Sequence, residues 1–294
     1  MANLRDIKKR ITSVTSTKQI TRTMEMVATA KIRRATDRVV AATPYSDAMM
    51  RMLNNLAANA AEGSHPLLAT HAEKKHVLFV VVASDRGLAG AFNTNVLHAA
   101  EKQASKYTEQ GVAVDYILCG KKAIGYFSYR GVAPSMSFAG LSADPTIDEA
   151  RRIASFAREG YANGGYDEVT VFYNHARNAA DQDLRVEQVL PVVVSADKAE
   201  AEEGPQTSFE FEPSEAEVLG SLLPAYVVTT IYHALIDSAS AEQGARRKAM
   251  KSATDNASDI IKTLQRQYNR ARQGAITTEI SEIVGGAAAL KKEE

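Results

Sequence analysis

The chain has 294 residues, and its 35 lysine and arginine residues balance its 35 aspartate and glutamate residues, so the formal net charge is zero. This neutrality argues against wholesale binding of nucleic acid. Hydrophobic residues make up 45% of the chain, which excludes global disorder. The single cysteine, Cys119, excludes an internal disulfide framework and a cysteine-based zinc cluster.

The charge is unevenly distributed along the chain. Residues 1–62 carry 11 basic and 5 acidic side chains, residues 63–213 carry 14 and 20, and residues 214–294 carry 10 and 10. The longest aliphatic run, Val77 to Ala83, is shorter than the roughly 20 residues of a membrane span, so we expect no crossing of a bilayer. The N-terminus lacks the apolar core of a signal peptide, and we expect a protein kept in a bacterial-type cytoplasm.

Residues 1–62 predict one long N-terminal helix. Leu4, Ile7, Ile11 and Val14 repeat at spacings of three and four, which is typical of a helix. Pro44 predicts a bend or a brief break.

The middle of the chain, residues 63–195, predicts a Rossmann-like α/β domain. The predicted strands are Lys75–Ser84, Val112–Cys119, Glu168–Tyr173 and Val186–Val194, and the predicted helices are Asn93–Gln110, Lys121–Tyr129 and Thr146–Tyr161. Alternating strands and helices indicate a mainly parallel sheet that is covered on both faces. Residues 196–213 are acidic and predict a linker.

Residues 214–294 predict a second long helix. Ser214 and Glu217 are spaced as a capping box, and Pro224 predicts an interruption. Both terminal helices are several times longer than the average of about 11–12 residues. An antiparallel coiled coil of the two helices, projecting from the α/β domain, is the simplest explanation. The fold class is therefore mixed α/β.

The loop after the first predicted strand is Asp85-Arg86-Gly87-Leu88-Ala89-Gly90, at a position where anions bind in α/β folds. Only two of the three glycines of a dinucleotide fingerprint are present, so a tight structural turn is favoured. Asp85, Arg86 and Gly87 are then structural residues or partner contacts. No cofactor, metal or catalytic site is predicted, because no phosphate loop, histidine cluster or nucleophile motif is complete.

Basic side chains are frequent on the predicted long helices. They are Lys8, Lys9, Arg10, Arg33, Arg34, Arg246, Arg247, Lys248 and Lys251. A solvated coiled-coil face and an acidic protein sleeve around the helices both explain them. Nucleic acid is a weaker explanation, because aromatic residues do not interleave with these charges.

Residues 272–290 form a helical end that is closed at Gly285-Gly286 and has an unusually apolar tip. Such a tip suits a position inside another structure rather than in water. This segment resembles the C-terminal signature of the gamma subunit of F-type ATP synthases. The matching residues are Ile276-Thr277-x-Glu279, Glu282 and Gly286-Ala287-x-Ala289.

The resemblance extends over nearly the whole chain. The other matching segments are Arg10-Ile11-x-Ser13, Thr17-x-x-Ile20-Thr21, Met24-Glu25-Met26-Val27-Ala28, Ser84-Asp85-Arg86-Gly87-Leu88 with Asn93, and Ala249-Met250-x-x-Ala253-Thr254-Asp255-Asn256-Ala257. It implies a non-catalytic central rotor shaft whose terminal helices turn inside a hexamer of alpha and beta subunits. Rotation would couple proton flow to ATP synthesis or hydrolysis, and the subunit would regulate ATPase activity and proton flow.

The resemblance also implies partners and contact residues. The epsilon subunit and the ring of c subunits are the further partners, with peripheral attachment to the cytoplasmic side of a bacterial cell membrane. Met24 and Arg246 would meet the beta-subunit loops. Gln273, Thr277 and Glu279 would lie near the bearing of the hexamer.

The chain departs from the family pattern at Arg247, where a methionine is usual. We expect this arginine to add a cationic contact with an acidic beta loop. From the residues alone, two other classes stay open: a free-standing coiled-coil adapter with an α/β head, and a small-molecule enzyme that uses the α/β domain.

Overall fold

The structure, a computed structural model, describes residues 4–57, 65–71, 73–178, 181–193 and 214–290. Its helices are α1 Leu4–Ala57, α2 Phe92–Glu109, α3 Lys121–Tyr129, α4 Ile147–Ala162 and α5 Glu215–Leu290, and its strands are β1 His76–Val82, β2 Ala113–Cys119, β3 Met136–Phe138, β4 Glu168–Ala176 and β5 Gln182–Leu190. The predicted mixed α/β class is confirmed. The acidic linker predicted over 196–213 lies outside the described residues.

The chain divides into two compact units. One, which we call the helical unit, comprises the described parts of Met1–Val27 and Lys248–Glu294. The other, the α/β unit, is Ala28–Arg247. Helices α1 and α5 contribute to both units. The narrower boundaries that the sequence suggests for the α/β domain, 63–195, stay a prediction.

Both long helices continue through an internal proline, so the predicted interruption at Pro224 is wrong and α1 has no break at Pro44. A proline inside a helix costs about 3 kcal/mol. Around Pro224, burial of Leu219, Leu223 and Val227 offsets this cost, because each buried aliphatic side chain contributes about 1.5–3 kcal/mol. The predicted helix end at Gly285-Gly286 is also wrong, since α5 continues to Leu290.

In the α/β unit, the five strands form one sheet in the order β3-β2-β1-β4-β5. The first four strands are parallel, and β5 pairs antiparallel with β4. This is the doubly wound arrangement, in which the chain leaves β1 on one side and returns to its other side at β4. A short 3₁₀ helix, Leu141–Ala143, follows β3. Neither β3 nor this helix was predicted.

Strand β1 is buried on both faces, and its side chains alternate between two cores. Leu78, Val80 and Val82 belong to a core shared with α4, α1 and α5. Val77, Phe79 and Val81 belong to a core shared with α2 and α3. This alternation follows from the two-residue period of a strand, and burial on both faces explains the continuous apolar run in the sequence.

In the helical unit, α1 and α5 pack against each other through small and apolar side chains. Thr21 and Thr254 share a 2.8 Å hydrogen bond between their hydroxyl groups. Ile7, Ala257 and Leu264 are buried. A second pair, Thr36 and Ser240 in the α/β unit, has the opposite order along the two helices, so they run antiparallel as predicted.

Helix α5 passes a length and composition test for a membrane span, with an 18-residue window of mean hydropathy 1.5. Half of that window is buried inside the chain, and core helices of soluble proteins pass the same test. The expectation that the chain does not cross a bilayer stays a prediction.

Candidate functional site

The loop after β1 is tied to the ends of the neighbouring strands by Asp85. One carboxylate oxygen, Oδ1, accepts hydrogen bonds from the backbone N–H groups of Lys121 (3.0 Å) and Gly140 (2.8 Å). The other oxygen, Oδ2, accepts from the N–H of Ser142 at 3.0 Å. Asp85 thereby joins the loops that follow β1, β2 and β3 at the carboxyl edge of the sheet.

The ionised form of Asp85 is favoured by these donors. Burial raises the pKa of the carboxyl group, but hydrogen bonds from the N–H groups of Gly140, Lys121 and Ser142 outweigh burial and hold the pKa below its ordinary value. The residue therefore acts as a fixed anchor of the loop. Nothing in its surroundings gives it the raised pKa of a general acid.

The carboxyl edge between β1 and β4 is the point at which doubly wound sheets bind their ligands. Here α5 covers it. Ala241 and Ala245 of α5 pack against Ala89 of the β1–α2 loop and Phe92 at the start of α2, and Ala176 at the end of β4 borders the same cluster. Small side chains let the helix approach the loop closely, so the chain's own helix lies where a nucleotide lies in other proteins of this fold.

A buried ion pair lies beside this cluster. Arg246 Nη2 is 2.6 Å from Glu242 Oε1, one helical turn earlier, and the same nitrogen donates to the carbonyl oxygen of Gly87 at 3.3 Å. Both side chains are almost completely buried. Burial raises the pKa of Glu242, and the Arg246 guanidinium opposes that rise. The pair joins α5 to the β1–α2 loop.

A second polar contact joins α5 to the end of β4. Asp237 Oδ2 lies 2.6 Å from Nδ1 of His175, and Asp237 Oδ1 accepts the backbone N–H of Ala176 at 3.0 Å. The Asp237 side chain is only 1% exposed, whereas His175 is 27% exposed. Both carboxylate oxygens of Asp237 therefore contact the end of β4.

The structure brings Asp85, Gly87 and Arg246 together at the carboxyl edge, and Arg86 contributes its carbonyl oxygen to a bond from the Ser84 hydroxyl. Arg247 follows on the same helix and is half-buried. Asp237, Glu242, His175 and Ser142 were missed by sequence analysis. The i, i+4 spacing of Glu242 and Arg246 was the one available signal, but spacing alone does not separate a buried pair from a solvated one.

The other predicted contact residues lie in the helical unit. Met24 on α1 is half-buried, and Gln273, Thr277 and Glu279 on α5 are exposed. The Thr277 hydroxyl donates to the Gln273 carbonyl oxygen, a bond within the helix. Their predicted contacts with other subunits stay predictions.

An apolar stripe occupies the last part of α5 in the helical unit. It consists of Ile276, Ile280, Ile283 and Val284, which are 47%, 54%, 66% and 61% exposed. Their spacing places them on one face of the helix. Within the described residues, this face is not covered by the chain itself, which is typical of a surface that a partner covers.

Within the described ranges, no group of three or more histidine, cysteine, aspartate or glutamate side chains is arranged to hold a metal ion. Cys119 is fully buried at the end of β2, and burial raises the pKa of its thiol. An un-ionised, inaccessible thiol is a poor nucleophile.

Fold and site together define a class: a protein with two very long paired helices and a doubly wound α/β unit whose ligand crevice is covered by its own helix. A family model described as "ATP synthase" matches residues 3–290. The ATP synthase gamma chain of Cytophaga hutchinsonii is 42% identical over 295 residues, covering 99% of each chain. That of Heliobacterium modesticaldum is 42% identical over 294 residues, covering 99% of this chain and 100% of the relative.

Solved structures give the same fold. The rotor of the Euglena gracilis mitochondrial ATP synthase has a TM-score of 0.64 at 18% identity, covering 93% of this chain and 98% of that chain. The central stalk and c-ring structure from Tetrahymena thermophila gives 0.59 at 22% identity, covering 80% and 99%. The chain therefore belongs to the ATP synthase gamma-chain family, whose members are part of a membrane-associated complex.

Proposed function

We propose that this gamma chain is the central rotor shaft of its ATP synthase and couples transmembrane proton flow to ATP synthesis or hydrolysis. The observation that carries the proposal is the exposed apolar stripe on the last turns of a 76-residue helix. An apolar stripe is unfavourable on a helix end that is surrounded by water. A helix that turns inside a protein sleeve, by contrast, needs an apolar surface with few directional bonds.

The chain contributes no catalytic site of its own in this proposal. The covered crevice at the β1–β4 edge supports this, because Ala241 and Ala245 take the room that a nucleotide would need. The lowered pKa of Asp85 supports it further, since that carboxylate accepts three backbone N–H groups of the chain itself. The chain would instead act as an asymmetric ligand that shifts catalytic subunits among their states as it turns.

The partners in this proposal are alpha and beta subunits around the helices, with the epsilon subunit and the c-ring at the α/β unit. The similar structures are a rotor and a central stalk with its c-ring, which supports the c-ring as a partner. The compared relatives are bacterial, which supports a position on the cytoplasmic side of a bacterial cell membrane.

A basic cleft in the α/β unit supports an acidic partner. Lys31, Arg34 and Arg38 of α1 line a cleft of about 140 Å³ together with Asp144. Asp144 pairs with Arg38 and neutralises one of the three positive charges. The remaining charges would attract a partner segment that carries carboxylates.

The proposal is tested by purifying the tagged chain from gently solubilised membranes of its host and measuring the native mass of what co-purifies. Three alpha and three beta subunits around one copy of this chain, with ATPase activity, are expected. Purification from the soluble fraction without those subunits would instead favour a free-standing adapter. A truncation after Gln273 should weaken coupling more than folding, because residues 274–287 of α5 are exposed.

A further inference from the structure

We propose that Asp237 is a positioning residue that fixes the rotational setting of α5 against the β-sheet when torque passes between the helix and the sheet. The inference rests on the proposed rotor function. It assigns to a buried side chain, which no partner subunit can reach, a share in coupling. On the sheet, its carboxylate contacts the His175 ring and accepts a hydrogen bond from the Ala176 backbone N–H.

Two kinds of interaction hold α5 against the edge of the sheet. Ala241, Ala245 and Ala89 supply small apolar surfaces, which oppose separation but have no preferred direction. The bonds of Asp237 are directional, because a hydrogen bond weakens steeply when its angle departs from linear. Rotation of α5 about its own axis would break them before it exposed much apolar area.

Of the two polar contacts that α5 makes with this edge, through Asp237 and through Arg246, the contact of Asp237 is the stronger. Its two carboxylate oxygens hold two different groups of β4, a side chain and a backbone N–H, at 2.6 and 3.0 Å. Arg246 reaches the β1–α2 loop through one longer bond of 3.3 Å. β4 is a central strand of the sheet, hydrogen-bonded to β1 on one side and β5 on the other, so force applied at its end is shared by the sheet.

Loss of the carboxylate leaves the half-buried Ala176 N–H without this acceptor. Loss of this directional bond should raise the population of displaced settings of α5 by about tenfold. When the complex works against a proton gradient, these displaced settings of α5 reduce the coupling between proton flow and catalysis. Without load, catalysis is affected little, because hydrolysis needs no torque through this contact.

The experiment compares Asp237→Ala, Asp237→Asn and Asp183→Ala in the assembled complex, in sealed membrane vesicles. Asp183 is the matched control, because it is a carboxylate of β5 that forms an exposed ion pair with Arg177 at 3.0 Å. Asp237→Asn keeps a carbonyl oxygen for the Ala176 N–H. Unloaded ATP hydrolysis and ATP synthesis driven by an imposed proton gradient are both measured.

For Asp237→Ala we expect hydrolysis near the wild-type rate and synthesis lowered severalfold, with Asp237→Asn restoring most of the synthesis and Asp183→Ala matching the wild type. Wild-type synthesis by an assembled Asp237→Ala complex would overturn the inference. If Asp237→Ala does not assemble, His175→Ala is tested instead, by the angular fluctuation of a bead attached to the α/β unit of the complex. A wider fluctuation than in the wild type supports the inference. An equal fluctuation overturns it. A wild-type complex that does not rotate at all would remove the proposed function instead.

Discussion

Asp85 and Ser142 exchange two hydrogen bonds across the carboxyl edge of the sheet. The Asp85 N–H donates to the Ser142 hydroxyl oxygen at 2.9 Å, and the Ser142 N–H donates to Asp85 Oδ2 at 3.0 Å. The two residues are 57 positions apart in the sequence. This reciprocal pair fixes the β1–α2 loop on which α5 packs, so the setting of the long helix depends on it.

Replacement of Asp85 by asparagine should loosen this edge. The amide nitrogen cannot accept, so one or more of the three N–H donors loses its acceptor, at a cost of about 1–3 kcal/mol. Amide hydrogen exchange should become faster at Lys121, Gly140 and Ser142. As a control, Asp148→Asn removes an exposed ion pair with Arg151 and should leave exchange at those sites unchanged. Equal protection in Asp85→Asn and the wild type would show that Asp85 is not the anchor.

The amino edge of the sheet should confer acid sensitivity through Asp167. Burial alone would raise the pKa of this carboxyl group. Hydrogen bonds from the N–H groups of Lys75 and His76 and from the side chain of His71 lower it by more, so the pKa lies below its ordinary 3.8. A pKa that is lower in the folded state gives stability that is full above pH 3.8 and is lost as the pH falls through the lowered pKa. Urea unfolding at a series of pH values should therefore show a difference between the wild type and Asp167→Asn that shrinks below that pH. A constant difference would contradict this.

Gly120→Ala should be strongly destabilising. At this position φ is +93°, and an added Cβ would lie 2.1 Å from the Ala83 carbonyl oxygen, a backbone atom that cannot move aside alone. We expect a loss of at least about 1–3 kcal/mol in the free energy of unfolding, measured by denaturant titration. Gly125→Ala on α3 is the matched control, because nothing lies within 4 Å of its added Cβ. It should be neutral or stabilise the helix by up to about 1 kcal/mol. Similar losses in both variants would refute the steric argument.

Arg246 and Arg247 are adjacent but should behave differently. Arg246→Met leaves Glu242 buried without its cation, and removal of one partner of a buried pair costs about 3–5 kcal/mol. Thermal unfolding of the chain should therefore shift for Arg246→Met far more than for Arg247→Met. If Arg247 contacts an acidic beta loop, Arg247→Met should instead reduce the salt dependence of coupled ATPase activity. An unchanged salt dependence would exclude that contact.

The apolar stripe of α5 should matter for assembly and not for the fold of the chain. Ile280→Asp places a charge on the stripe, and loss of one buried isoleucine contact lowers the association free energy by about 1.5–3 kcal/mol. Thr278→Asp places the same charge on the opposite side of the helix, at an exposed position. Native mass spectrometry should show less assembled complex for Ile280→Asp only, with unchanged circular dichroism of the chain. Equal assembly of both variants would mean that no partner covers the stripe.

Much of the fold could be predicted because its signals are local. The run Val77–Val82 predicts a buried strand, and the bounds predicted for α3 match those observed, Lys121–Tyr129. β3 escaped prediction because three residues, Met136–Phe138, carry no usable periodicity. The interruption predicted at Pro224 was wrong because burial of the surrounding side chains in the core offsets the free-energy cost of a proline inside a helix. No local sequence pattern reveals that burial.

The site was harder to predict because its contacts join distant residues. Asp85 was singled out as a loop residue, but its donors lie 36 to 57 positions away. Asp237 lies 62 positions from His175 and has no motif around it. Only the folded sheet brings these groups to one edge, so their bonds follow from topology rather than from spacing.

The most direct measurement is single-molecule rotation of the assembled complex. A bead is attached to a cysteine introduced at Tyr129, whose side chain is 90% exposed, while the native Cys119 is fully buried and does not compete for labelling. With the hexamer fixed to a surface, the bead should turn in one direction for as long as ATP is hydrolysed. Sustained ATP hydrolysis by the fixed complex without directional motion of the bead would contradict the rotor account.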